Sequence, residues 1–531
     1  MEPHIRSDQD CHNALDQYTL ELIGKLTGDP PGKSDRGPTG AEKKEFSQLV
    51  DKACKKNLTD PIISLFQELL KQRLAGHSIR DFGLTKMDLC NLALKHQQID
   101  EHMVSLGGRL TRALPIAGKV NTRVEDYLAR KDIEAPSGIE LWQQIQENGE
   151  RIRTKLKMST SEWGSYKGQI RNCINTAEEL AELIDLPAET VASIARVTRN
   201  FRMRLTPYYT ALIMPGNIND PVMLQSVPTG EMDDNIDIEL PPVAADHSPA
   251  RLIDQFYPRV VTIKATNMCA MYCTHCLRLA HIGRRDTTYS LEAYNEALEY
   301  IRKNENIHDI LITGGDALVL PNAMLKWLLA QLDAISHVKV KRLGTRIPVT
   351  APMRVDDELL AIIEESNDRK PIRIVTQINT AQEITPLSHD AYRRLSKRSF
   401  TILNQAVLLK GINDSQVKMW KLCETIHEAY VRPYYIFNCS YRNPQFKHFR
   451  VPIEVGREIV ESMYGNISGD AIPRYIATAG GKIPLHRSNI IEFDDNEYIL
   501  RKPWSGTEVT YPDADPDIYR RDSFAFAKCQ S

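Results

Sequence analysis

RVVTIKATNMCAMYCTHCLRL, residues 259–279, decides the fold. Its opening, Arg259–Ala265, is rich in β-branched residues and reads as a buried strand. The strand runs straight into Cys269, Cys273 and Cys276, spaced Cys-x3-Cys-x2-Cys. A scattered cysteine is usually a small buried apolar residue, a reading that does not suit three thiols within eight residues. Three thiolates can hold three irons of a four-iron cluster and leave the fourth iron open, whereas a ferredoxin needs a fourth cysteine. A structural zinc site also needs four ligands, and His275 between two of the cysteines keeps that alternative in view.

Downstream, short β-branched runs alternate with amphipathic ones. The expected strands are Asp309–Thr313, Val338–Leu343, Ile372–Gln377, Thr401–Val407 and Val431–Phe437, with helices between them such as Leu291–Arg302 and Ala323–Ile335. The strands recur about every 30 residues, the size of one βα unit. Six units in series predict an α/β fold with a parallel sheet curved into a partial (β/α)6 barrel over 255–440. In such barrels the chemistry sits at the C-terminal strand ends. The second strand ends there in Thr313-Gly314-Gly315-Asp316, where glycines let backbone approach a ligand closely.

Upstream, residues 1–155 read as a helical accessory region without a chemical motif. Ile62, Phe66, Leu69 and Leu70 recur at helical spacing, and Leu89, Leu92, Leu94 and Ile99 less cleanly. The Pro- and Gly-rich stretch 28–45 reads as linker. Residues 156–254 form a helical segment that ends in a polar, acidic stretch, 227–250, read as a solvated face. Residues 441–531 form a C-terminal segment.

The net charge of -2 gives no case for nucleic acid or an anionic membrane as partner. Ten cysteines in 531 residues are not the disulfide framework of a short secreted domain. No apolar run approaches the roughly 18–20 residues that span a bilayer, and Met1–Asp10 lacks a signal-peptide core. A cytoplasmic protein is expected.

The cysteine loop followed by Gly-Gly-Asp on the next strand resembles the radical S-adenosylmethionine superfamily. That resemblance implies a [4Fe-4S] cluster on Cys269, Cys273 and Cys276, with Gly314, Gly315 and Asp316 meeting the methionine amino group of S-adenosylmethionine. With both motifs present, zinc recedes. From about Glu162 to Asp513 the chain is similar to the lysine 2,3-aminomutase family, which includes glutamate and arginine 2,3-aminomutases. The segments that carry the likeness are FRMRLTPYYTALI (201–213), NMCAMYCTHCLRL (267–279), ILITGGDALVL (310–320), RLGTRIPV (342–349), NQAVLLKGIND (404–414), VRPYYIFNCS (431–440), HFRVP (448–452) and AGGKIPL (479–485). The family places its pyridoxal 5′-phosphate lysine in a glycine-rich segment ahead of Ile-Pro. Lys482 in Gly480-Gly481-Lys482-Ile483-Pro484 matches it, and the chemistry needs an amine able to form a Schiff base. Arg278 matches the arginine that takes the substrate α-carboxylate, which a guanidinium fork suits. Arg259 is a candidate for the cofactor phosphate, one position off the family's basic residue, where this chain has Val260. Gln405 (a cofactor position), Arg346 and Tyr434 match cavity-lining positions.

The chain also departs from the lysine enzymes. Their two acidic residues for the distal ammonium are replaced by Ser440 and Thr478, so a buried ammonium would lack a carboxylate. Arg442 and Arg474 stand nearby in sequence, and Arg442 is the candidate to receive an acidic side chain. The family's histidine near the end of the fourth strand is Gln377 here. Some lysine enzymes carry a zinc site beyond the barrel; with only Cys529 at the C-terminus, none is expected. The resemblance implies an isomerase that moves an amino group on a small amino acid other than lysine, glutamate first, fed by a flavodoxin- or ferredoxin-type electron donor, with a homo-oligomer allowed. The alternatives are the same cofactors with a different outcome, dehydrogenation or carbon–nitrogen cleavage, and a non-catalytic cluster-binding protein.

Overall fold

The structure is a computed structural model. It describes residues 123–228, 230–233, 248–442 and 444–520, with short pieces between 15 and 93. The linker expected at 28–45 lies outside the described residues save for residue 44, as do residues 234–247 of the acidic stretch and Cys529.

The chain divides into two compact units, Met1–Glu125 and Asp126–Ser531. In the first, helix Gln17–Thr27 buries Leu22, Ile23 and Leu26 in one apolar cluster with Phe66, Leu69 and Leu89. In the second, a nine-stranded sheet is built in chain order. Its strands are β1 (Ile253–Tyr257), β2 (Val260–Thr266), β3 (Asp309–Gly314), β4 (Val340–Gly344), β5 (Ile372–Thr376), β6 (Thr401–Leu408), β7 (Arg432–Asn438), β8 (Arg474–Thr478) and β9 (Lys482–Pro484). β2 to β8 run parallel, while β1 and β9 close the two edges antiparallel. The six expected strands are β2 to β7, each within two residues of its predicted bounds; β8 makes a seventh parallel strand.

Strand alternation separates two faces. Ile263, Ile312, Leu343, Ile374 and Ile402 are buried in the core shared with the surrounding helices. Their neighbours Thr262, Leu311, Arg342, Arg373 and Leu403 are only half-buried and face the concave side. The sheet's edges meet there: the Lys482 backbone N–H on β9 donates to Tyr257 Oη on β1 at 3.1 Å. A side chain thus bridges the gap that the backbone leaves open.

A second core joins the helices between 142 and 224 to the C-terminal strand ends through Met271, Val407, Leu409 and Cys439. Helix Trp142–Lys155 buries Ile145 and Ile152 in it. Upstream of that helix, Tyr127 stacks on Trp420 at 4.1 Å and donates to Glu424 Oε2 at 2.6 Å. Residues 126–155 thus pack within the second unit. After β9, β10 (Ile490–Asp494), β11 (Glu497–Arg501) and β12 (Glu508–Pro512) form a separate antiparallel sheet.

Candidate active site

The loop after β2 and the end of β3 are welded together through backbone. Asp316 N–H donates to Met268 O at 2.9 Å, and Gly315 N–H donates to Thr266 O. A Cβ on Gly314 or Gly315 would overlap the carbonyls of Thr266 and Met268, and Gly314 holds φ +108°. Glycine is required here by the cysteine loop's own backbone. The buried Asp316 carboxylate accepts from Leu318 N at 2.9 Å and Arg346 N at 2.6 Å, so it ties β3's end to that of β4.

The three thiols line one cavity of about 310 Å³, together with Phe201, Tyr272 and Leu279. Burial pushes the Cys269 thiol well up, and the other two cysteines add to it. Burial and Cys273 raise Cys276 to about 12. Among the described residues, no three His, Cys, Asp or Glu stand close enough to share a single ion. Three soft donors around one cavity, without a single-ion cage, fit a cluster that takes one thiolate per iron. His275 looks elsewhere: its Nε2 lies 3.4 Å from Gln377 Oε1 and 3.3 Å from Asn379 Nδ2. Burial, then the Arg346 charge, lowers its pKa to about 3. Arg278, half-buried, donates to Thr313 Oγ1 at 3.1 Å on the concave side of β3.

Lys482 occupies that same side from β9. It pairs in register with Thr478 on β8, and its Nζ lies 4.8 Å from the Tyr435 ring and 5.8 Å from that of Phe437. Gln405 on β6 is the register partner of Tyr435. Burial, then the Arg342 charge, lowers the Lys482 pKa to about 8, against the pull of Asp309. Asp309 is itself held by Arg342 Nε at 2.6 Å. A β-bulge puts Tyr434 beside Tyr435, with their hydroxyls 2.9 Å apart. The turn into β9 is tight: Gly481 holds φ +140°, and a Cβ there would come within 2.5 Å of the Trp504 ring. These neighbours suit a lysine that must be uncharged to bond a carbonyl carbon.

Ser440 is buried two residues past β7. Arg442 is exposed, its guanidinium 5.9 Å from the Tyr441 ring. Arg474 is exposed at the start of β8, and Arg259 is exposed between β1 and β2. The structure therefore brings Lys482, Gln405 and Thr478 together and leaves Arg259, Arg442 and Arg474 on the surface. Sequence reading missed Tyr257, Arg342, Asp309, Tyr435 and Phe437; strand alternation, applied strand by strand, would have marked Asp309, Arg342, Tyr435 and Phe437.

Comparison with known proteins agrees with this geometry. Residues 263–421 match the Radical SAM superfamily. The chain is 37% identical over 407 residues to a glutamate 2,3-aminomutase of Clostridioides difficile (strain 630), covering 76% of this chain and 94% of that protein. It is 35% identical over 366 residues to an L-lysine 2,3-aminomutase of Clostridium subterminale, covering 67% and 85%. An L-lysine 2,3-aminomutase of Bacillus subtilis (strain 168) is 33% identical over 386 residues, covering 72% and 78%. Among the described residues no helix is long and apolar enough to cross a membrane. The three-cysteine loop, the Gly-Gly-Asp strand end and these relatives together place the chain in the lysine 2,3-aminomutase family, radical S-adenosylmethionine isomerases that use a four-iron cluster and S-adenosylmethionine.

Proposed function

We propose that the protein is a pyridoxal-phosphate-dependent 2,3-aminomutase that acts on an amino acid without a distal ammonium, glutamate being the first candidate. The observation that carries this reading is the lysine's setting. Lys482 sits on the concave face with a pKa lowered to about 8, while Ser440 and Thr478 stand where the lysine enzymes have carboxylates.

Pyridoxal phosphate, when bound, would supply the π-system across which nitrogen moves, and the cluster with S-adenosylmethionine would supply the initiating radical. The chain's own residues hold and orient. Cys269, Cys273 and Cys276 would ligate the irons. Lys482 would hold the pyridoxal and release it to substrate, with Tyr257 fixing its backbone and Tyr435 its ammonium face. Gln405 would meet the cofactor from β6. Arg278 would clamp the substrate α-carboxylate from beside the cluster loop, with Thr313 holding its guanidinium in place. The helices of the second core, packed on the strand ends, would help exclude water from the site. A flavodoxin- or ferredoxin-type protein would deliver the electron.

The test is anaerobic incubation of the reconstituted protein with S-adenosylmethionine, pyridoxal phosphate, a reductant and a panel of L-amino acids, with β-amino acids as the readout. β-Glutamate as the main product supports the proposal; efficient β-lysine formation overturns its substrate part.

A further inference from the structure

Cys273 is the cysteine that a largely enclosed cation reaches directly. Arg346, just past β4, donates from Nη1 to Cys273 Sγ at 2.9 Å. Its Nη2 lies 2.5 Å from Glu383 Oε1, 3.0 Å from Gln225 Oε1 and 3.3 Å from Tyr209 Oη. Glu383, past β5, is fully buried. Its carboxylate is fixed by Tyr209 Oη at 2.9 Å and by the Asn379 backbone N–H at 3.0 Å. The guanidinium is thus clamped from the end of β5 and from the helical segment, with one arm left for the sulfur.

We propose that Arg346, held by Glu383, is a positioning residue that fixes the Cys273 thiolate and sets the reduction potential of the cluster. The inference rests on the reading that Cys273 ligates an iron. One-electron reduction makes the cluster more negative, and part of that charge spreads onto the ligating sulfurs. A positively charged N–H donor held against the sulfur therefore favours the reduced form and raises the potential. Glu383 opposes part of that charge, so the two residues act with opposite sign.

The sign difference makes the test. The full chain, reconstituted anaerobically without S-adenosylmethionine, is titrated potentiometrically and the reduced cluster followed by electron paramagnetic resonance. Arg346→Met should lower the reduced-to-oxidised ratio at a fixed potential at least about tenfold, a downward shift of about 59 mV for one electron. Glu383→Gln should move the potential upward. If Arg346→Met fails to hold four irons, Glu383→Gln alone decides. Unchanged potentials at full iron content overturn the proposal. Shifts of the same sign in both variants do so too, because they would report a loosened loop. Iron loss in both overturns it as well, since the pair would then serve assembly and not tuning. A wild-type chain that takes up no cluster would instead defeat the parent reading.

Discussion

At the scale of single residues, Lys482 gathers the most consequences. Its amine is pulled toward neutrality by burial and by Arg342, reaching a pKa of about 8. A protonated amine cannot attack a carbonyl, so loading of the apo chain with pyridoxal phosphate should quicken about tenfold per pH unit up to about 8 and then level off, as the free-amine fraction does. An ordinary lysine would keep rising toward its usual range near 10.4. Stopped-flow absorbance against pH distinguishes the two profiles. Lys482→Ala should abolish the lysine-bound cofactor's absorbance and leave the iron content unchanged, because the cysteines lie on a separate loop; borohydride tagging of another lysine would contradict this. Cys276→Ser should behave conversely, losing S-adenosylmethionine cleavage while keeping pyridoxal uptake. The three cysteines stand out in the sequence by their local spacing, whereas Lys482 is singled out only by the family resemblance. For Arg342, Asp309 and Tyr435, alternation along each strand marks the face, but their grouping around Lys482 depends on the register of β3, β4 and β7.

Elements carry the next layer. β2 to β7 were readable because a buried parallel strand announces itself as a run of β-branched residues between helices. β8 and β9 were not, being five and three residues long around a glycine turn. β9 is a short edge whose anchor to β1 is the Tyr257 hydroxyl, accepting from Lys482 N–H at 3.1 Å. Removing one such hydrogen bond costs about 1 kcal/mol. Tyr257→Phe should therefore leave the thermal midpoint nearly unchanged yet speed amide hydrogen exchange in 480–484 several-fold. Exchange as slow as in the wild type would show that β8 alone holds the lysine turn. The packing of 126–155 depends on distant sequence in the same way: Tyr127 finds its partner in Trp420 and Ile145 in the second core.

At the scale of the whole molecule, substrate choice turns on which side chain the interior of the partial barrel accepts. On the proposed reading, the positions of the lysine enzymes' two carboxylates fall here at Ser440, which is buried, and Thr478, which is half-buried. The carboxylate that does act near Lys482, Asp309, is already held by Arg342. An ammonium enclosed without its own counter-charge costs several kcal/mol. Because each 1.36 kcal/mol is tenfold in rate, L-lysine should turn over at least about a hundredfold less well than the true substrate, judged by kcat/KM. An acidic side chain would instead need a cation, and Arg278 and Arg342 are at hand on the concave side, each with an acid acting on it, Asp254 and Asp309. Arg442, exposed on Tyr441, can serve glutamate only by folding inward past Ser440. If it does so on closure, Arg442→Ala should reduce glutamate turnover far more than that of a neutral analogue. Equal losses on both substrates would confine Arg442 to the surface and leave the charge of the barrel interior to select the substrate. Wild-type conversion of L-lysine at a rate matching glutamate would show that the pocket finds an ammonium partner elsewhere.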